Sequence, residues 1–240
     1  MNLEMYKTEL IRTRNQNDCE RDLYYTVGEI LRYSDPMEDL SLRDVSGRRH
    51  SKIGEVFYGL SAFPDLVILD SEFKNQDNAQ GNIENADKIY GAVEVKALGS
   101  KLYDVEKFFE SVQKGEIHPD MKNLDDQMRL LGECIWNKKL IYTNGIQWQI
   151  IECSYKNDEW KNICEVVKER ISRLFSKNNK SQEDWQKKIN FENILIEVSQ
   201  VDMGVTKVKL ENMNESQWDV LTKALNKIPW KPTPAEPSTK

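Results

Sequence analysis

The chain has 240 residues, 39% hydrophobic and 31% charged, enough apolar content to bury the core of one α/β domain with a smaller appendage. A net charge of -6 excludes a protein that coats nucleic acid by bulk electrostatics, because phosphate contacts need lysine and arginine, so any nucleic-acid site must be a local basic patch. The start "MNLEMYKTEL" has no apolar run behind a basic segment, and no stretch approaches bilayer-spanning length, so a cytoplasmic protein without a membrane partner is expected.

In chain order, "NQNDCERDLYYTVGEILRY" (15–33) predicts an amphipathic helix with Leu23, Tyr24, Val27, Ile30 and Leu31 on one stripe and Asn15, Asn17 and Asp18 as caps. Next, "MEDLSLRDVSGRRHSKIGEVFYGLS" carries a dense basic cluster of Arg43, Arg48, Arg49, His50 and Lys52 around a Ser46-Gly47 turn. That cluster reads equally as a solvated loop or as a phosphate contact. "FPDLVILD" (63–70) predicts a short strand with Pro64 at its start, where a missing amide does little harm. The polar, amide-rich 71–88 reads as a solvated connection.

"IYGAVEVKAL" (89–98) is a second strand. Side chains alternate along it, so Ala92, Glu94 and Lys96 share one face while Val93, Val95 and Ala97 share the other. A charge pair on one face is either a salt bridge on a half-wet sheet or two parts of an active site. "NLDDQMRLLGECIWNK" predicts a second amphipathic helix, with Gln127, Leu131 and Cys134 turned inward. "KLIYTNGIQWQIIEC" predicts a β-hairpin turning at Asn144-Gly145. Beyond residue 155, two helices ("DEWKNICEVVKERISRLF", "ESQWDVLTKALNKI") bracket two short strands around "FENILIEVS" and "VTKVKLE", and the Pro-rich end from 229 to 240 reads as disordered.

Four scattered cysteines without CxxC spacing point to neither a zinc site nor a disulfide framework. With two histidines, a metal would be oxygen-ligated and hard, like magnesium. Asp65 at the start of a buried strand lies beside Glu94 if the two strands pair, and two close carboxylates repel each other unless a cation joins them. Lys96 beside such a cation would hold the attacking water and stabilise negative charge on a phosphate. On the first helix, Glu20 precedes Val27 by seven residues and falls on the apolar stripe, whereas Glu29 lies about 200° away on the wet side. Each feature also has a plain structural reading: an ExK pair as a cross-strand ion pair, Pro-Asp as turn chemistry, Glu20 as a favourable charge at a helix start, Gln127 as a loop anchor.

Helix glutamate, Pro64-Asp65, Glu94-Val95-Lys96 and a helix with Gln127, followed by "LIYTNGIQWQII", together resemble the PD-(D/E)XK nuclease superfamily. The "LIYTNGIQWQII" segment looks like the strand, turn and strand that close the nuclease domain at the N-terminus of type I restriction endonuclease motor subunits and their relatives, and the resemblance covers roughly residues 5 to 152. The resemblance implies a restriction-endonuclease-like α/β core, a central mixed β-sheet flanked by helices in αβββαβ order. It implies that Asp65, Glu94 and the Val95 carbonyl bind magnesium, with manganese as a substitute. Lys96 then positions the water, Glu20 assists metal or water, and Gln127 steadies the site. An aromatic that often follows this glutamine by four positions is Leu131 here, and no Walker motif is present.

The expectation is therefore a metal-dependent nuclease core over 1–155, acting as a DNA endonuclease in a restriction or defence setting, with the 43–52 cluster tracking the backbone. A small α+β extension over 156–228 would serve specificity, a homodimer or a protein partner. The rival is a catalytically silent nuclease-fold binding or regulatory subunit, and a third reading is a structural ion-pair network in a general α/β protein.

Overall fold

The structure, a computed structural model, describes residues 1–34, 39–48, 55–74, 83–117, 122–174 and 185–231. Two helices open the chain, α1 (Leu3–Gln16) and α2 (Glu20–Arg32), where a single helix over 15–33 was expected. Asn2 caps α1, accepting from the Met5 amide at 2.9 Å, and Leu3, Tyr6, Leu10 and Thr13 form its buried stripe. The break falls at Asp18, which adopts a left-handed φ of 44°, a conformation that Asp and Asn tolerate better than most residues. The expected caps thus terminate the first helix rather than start the second, whose N-cap is Cys19 with no side-chain bond.

β1 (Leu40–Asp44), a short α3 (Glu55–Tyr58), β2 (Leu66–Asp70) and β3 (Ile89–Val95) follow, then α4 (Val105–Gln113) and α5 (Leu124–Asn137). The hairpin of β4 (Lys139–Thr143) and β5 (Gln147–Tyr155) matches the sequence reading. Its turn is set by Asn144, whose Oδ1 accepts from the amides of Ile146 (2.9 Å) and Gln147 (2.7 Å), and by Gly145 at φ 79°, a conformation favouring glycine. α6 (Glu159–Leu174), β6 (Ile194–Asp202) and α7 (Glu215–Leu225) complete the chain.

All six strands form one mixed sheet in the order β1-β2-β3-β4-β5-β6, antiparallel except for the central β3–β4 pair. The crossover through α4 and α5 is what allows that pair to run parallel. Helices cover both faces. Val67, Leu69, Ala92 and Leu140 pack with Leu131 and Ile135 of α5 and Val167 and Ile171 of α6. Ile68, Val93, Val95 and Trp148 pack on the other side with Leu10, Leu23, Val27, Leu31 and Leu221 from α1, α2 and α7. The half-wet sheet considered for Glu94 is therefore replaced by a sheet with two dry faces.

The segment after 155 does not stand apart. β6 pairs with β5 along nine residues, Gln147↔Asp202 to Tyr155↔Ile194, and Trp218 packs tilted against Tyr6 at 5.2 Å between ring centroids. The strand expected around "VTKVKLE" is instead a 3-10 turn, Lys207–Asn212. Nor is the C-terminal segment from 229 uniformly loose: Trp230 is buried over Gly91, where a Cβ would lie 2.4 Å from the indole, and Lys139 donates to the Trp230 carbonyl. Residues 232–240 lie outside the described residues, as do 75–82 of the polar connection, whose described part buries Ile83 and Ala86. No helix among the described residues is long and apolar enough to cross a membrane.

Candidate active site

Strand register assembles the site. Leu66 opposes Val93, so the next antiparallel pair outward is Asp65 and Glu94. Asp65 donates its amide to the Val93 carbonyl (3.1 Å) and accepts from the Val45 amide (3.0 Å), which clamps its main chain between β1 and β3. Its side chain shares a face with Val67 and Leu69, the face that α5 covers. Glu94 shares that face with Ala92.

Each carboxylate oxygen can be accounted for. Asp65 Oδ2 accepts from the Val95 amide at 2.8 Å, and Oδ1 accepts from the Tyr24 hydroxyl. Because the N–H and C=O of a strand residue project to the same neighbour, the Val95 carbonyl lies on the Asp65 edge of β3 as well. Glu94 Oε1 is paired with Lys96 Nζ at 2.5 Å, while Glu94 Oε2 is buried without a hydrogen-bond partner among the described residues. The Lys96 amide is tied to the Thr143 carbonyl at 2.7 Å, so the ammonium is held at the ends of the two parallel strands.

These groups line a cleft of about 340 Å³ where β1, β2, β3 and β4 end on one side of the sheet. Glu20, Tyr24 and Ser46 close one wall, and Asp126, Arg129, Leu130 and Glu133 of α5 close the other. Glu20 owes its place to the break after α1: as the first residue of α2, it gains from the positive end of the helix dipole and faces the strand ends. Lys101 and Arg129 add cations to the lining.

Burial and mutual repulsion dominate the electrostatics. Desolvation first, then the Glu94 charge, push the Asp65 carboxyl up to about 7 against the opposing hydrogen bonds from Tyr24 and Val95. Glu94 is likewise raised by burial, with Lys96 acting in the opposite direction. Burial would lower Lys96, but the Glu94 carboxylate overrides it and holds the ammonium above its ordinary value. Glu133 is raised well above the usual carboxylate range by burial and by Glu94.

Of the residues expected from sequence, the structure gathers Glu20, Asp65, Glu94, Val95 and Lys96. Gln127 is not among them. Its amide donates to the Lys122 carbonyl at 3.3 Å and does not line the cleft, because α5 turns the neighbouring stripe of Asp126, Arg129, Leu130 and Glu133 toward the strand ends. Arg43 also stays outside the cleft, on edge strand β1, with Nη1 bonded to the Leu42 carbonyl at 2.9 Å. The side chain of Arg48, and Arg49, His50 and Lys52 altogether, lie outside the described residues. Ser46, two residues before Arg48 in the chain, lines the cleft.

Tyr24 and Glu133 escaped the sequence reading. Tyr24 falls on the apolar stripe by periodicity, yet a tyrosine one turn after an inward glutamate also brings a hydroxyl to the same place. Glu133 interrupts the apolar run "LLGECIW", and a carboxylate in such a run is a signal in itself. The Tyr24 bond has a measurable consequence. Tyr24→Phe should cost about 1–3 kcal/mol at pH 8, where Asp65 is ionised, and less at pH 5, where it is protonated. Urea unfolding at the two pH values tests this.

No group of three or more His, Cys, Asp or Glu residues that could hold a metal occurs among the described residues. The donor set is nevertheless of the right kind for a hard cation: two carboxylates from adjacent strands, one with an orphaned oxygen, and a main-chain carbonyl on the same edge. Comparison of the chain with protein-family models, with curated proteins and with solved structures finds no match.

Proposed function

We propose that the chain is a magnesium-dependent nuclease with a restriction-endonuclease-like core, hydrolysing phosphodiester bonds and acting on DNA as an endonuclease in a restriction or defence setting. The observation that carries this reading is the buried Oε2 of Glu94, which has no partner among the described residues and lies one residue pair outward from Leu66–Val93, opposite Asp65. A structural ion pair would be expected to satisfy both partners; here one carboxylate oxygen of a cleft-lining residue is buried with no hydrogen-bond partner among the described residues. The element order supports the reading as well, since α2, β1 to β3, α5 and β4 follow the αβββαβ sequence implied by the Glu-Pro-Asp-Glu-x-Lys resemblance.

In this account Asp65, Glu94 and the Val95 carbonyl hold the cation, and Glu20 contributes through water. Bound magnesium, with manganese as a substitute, supplies Lewis-acid polarisation of the phosphate and a more acidic water. Lys96 orients the attacking water and stabilises charge on the phosphate oxygens. Asp65 is held for its part by Tyr24 and Val95, so its carboxylate does not need to reorganise. A protein partner or second copy would find pairing groups on the outer edge of β6, the last strand of the sheet.

The test is incubation of circular plasmid, linear duplex and single strands with magnesium or manganese, using wild type and Asp65→Asn. Cation-dependent cutting by wild type and none by the variant is expected. No cutting by a folded wild type that binds the cation would favour the silent binding subunit.

A further inference from the structure

Among the described residues, Glu133 is a buried carboxyl that the proposed chemistry does not use. Its side chain sits on α5 at 4% exposure, and its Oε2 has no partner among the described residues. The bond from the Asn137 amide goes to its main-chain carbonyl, not to the carboxylate. An unpartnered carboxylate is unfavourable in a dry place, and the flanking residues Leu130, Leu131, Cys134 and Ile135 show that an apolar side chain would suit the position.

Lys96 offers the other half of the problem. Its ammonium is bound to Glu94 Oε1 at 2.5 Å, so it occupies the carboxylate that the proposed function needs for a cation. A divalent ion taken up on Asp65 and the unpartnered Oε2 of Glu94 repels the ammonium on Oε1 and weakens its hold there. Lys96 must then find a new acceptor or leave the cleft. Glu20 and Asp126 also line the cleft, but they are half-buried and exposed respectively and remain hydrated. Glu133 shares the cleft, is dry, and has an open oxygen.

We propose that Glu133 is a positioning residue for Lys96, the acceptor to which the ammonium passes from Glu94 when Asp65 and Glu94 take up a divalent cation. This inference rests on the nuclease reading of the same site. It explains why a buried carboxylate with an open oxygen is kept on α5: the partner arrives only in the cation-loaded state. The ammonium thereby stays beside the strand ends, where it can act on water and phosphate, instead of swinging into solvent.

The test is a double-mutant cycle on cation binding, read by calorimetric titration of manganese into wild type, E133L, K96A and the double variant. With Lys96 present, E133L should weaken manganese binding about tenfold, whereas in the K96A background the same substitution should change it less than about twofold. E133Q keeps an acceptor oxygen and should stay within about threefold of wild type. E133L is expected to melt no lower than wild type; if leucine disturbs α5, E133M carries the same comparison. An equal effect of E133L in both backgrounds, or no effect in either, overturns the inference while leaving the nuclease reading intact. A folded wild type that binds no manganese removes both.

Discussion

Lys96→Ala is expected to lower magnesium-dependent cleavage by about 10³-fold while the cation remains bound. The physical basis is that Lys96 pairs with Glu94 but does not share its ligand chemistry. Removing the ammonium frees Glu94 Oε1, so cation affinity should hold or rise, and the loss falls on the water and on the phosphate charge. The cation-loaded fold should hold, since the main chain at Lys96 is tied to Thr143 through its amide and the cation takes over Glu94, whereas the metal-free variant leaves buried Glu94 without its ammonium partner and should be less stable. Lys96→Arg should recover little, because a planar guanidinium cannot replace a compact point charge in a site of this size. Plasmid cleavage with purified variants, with calorimetry in parallel, checks both halves. Cleavage within tenfold of wild type would count against a role for Lys96 in the reaction.

Metal-free protein is expected to lose stability as pH rises from about 4 to about 8, the reverse of ordinary acid denaturation. The folded Asp65 carboxyl is raised to about 7 from an ordinary 3.8, so the folded state binds the proton more tightly than the unfolded chain. Its contribution is fully present below the unfolded value and is lost as pH rises through the folded one, a swing of about 4 kcal/mol for a shift of this size. Glu94 and Glu133 shift in the same direction and add to the slope. Asp70 and Asp104, whose carboxyls are lowered, act oppositely at the acid end.

Asp65→Asn removes the buried charge but leaves one acceptor oxygen where two served the Val95 amide and the Tyr24 hydroxyl, so at pH 8 it should gain about 2 kcal/mol over wild type and show a flatter pH profile. Adding magnesium at pH 8 should stabilise wild type and leave the variant unmoved. Urea unfolding in EDTA from pH 4.5 to 8.5 measures this. A marked loss of stability for Asp65→Asn at pH 8 would point instead to a structural ion-pair network.

Much of the site was legible in the sequence because strands declare their faces. Alternation alone put Glu94 and Lys96 together, and Pro64 marked the start of the strand that brings Asp65 opposite Glu94. The hairpin at Asn144-Gly145 was legible from local turn chemistry. What was not legible depended on tertiary context. The stripe of Leu3, Tyr6 and Leu10 went unread, so the segment 15–33 took in residues that end α1, and Asp18 looked like a cap rather than a break. On α5, Leu131 and Cys134 do face the core as periodicity requires, but which adjacent stripe meets the strand ends depends on how the helix lies across the sheet. That choice exchanged Gln127 for Arg129 and Glu133. The C-terminal region reads as an extension because a nine-residue edge strand looks the same whether it starts a new sheet or completes an old one; pairing with β5 decides. Trp230 hid inside a Pro-rich segment, and only the glycine at position 91 gives its indole a seat.

The central claim is that Asp65 and Glu94 jointly hold one divalent cation, and calorimetric titration of manganese into wild type, Asp65→Asn and Glu94→Gln tests it most directly. The account predicts a single binding event in wild type that disappears in both variants, each still folded by circular dichroism. Absence of binding in folded wild type, or binding that survives both substitutions, would contradict it.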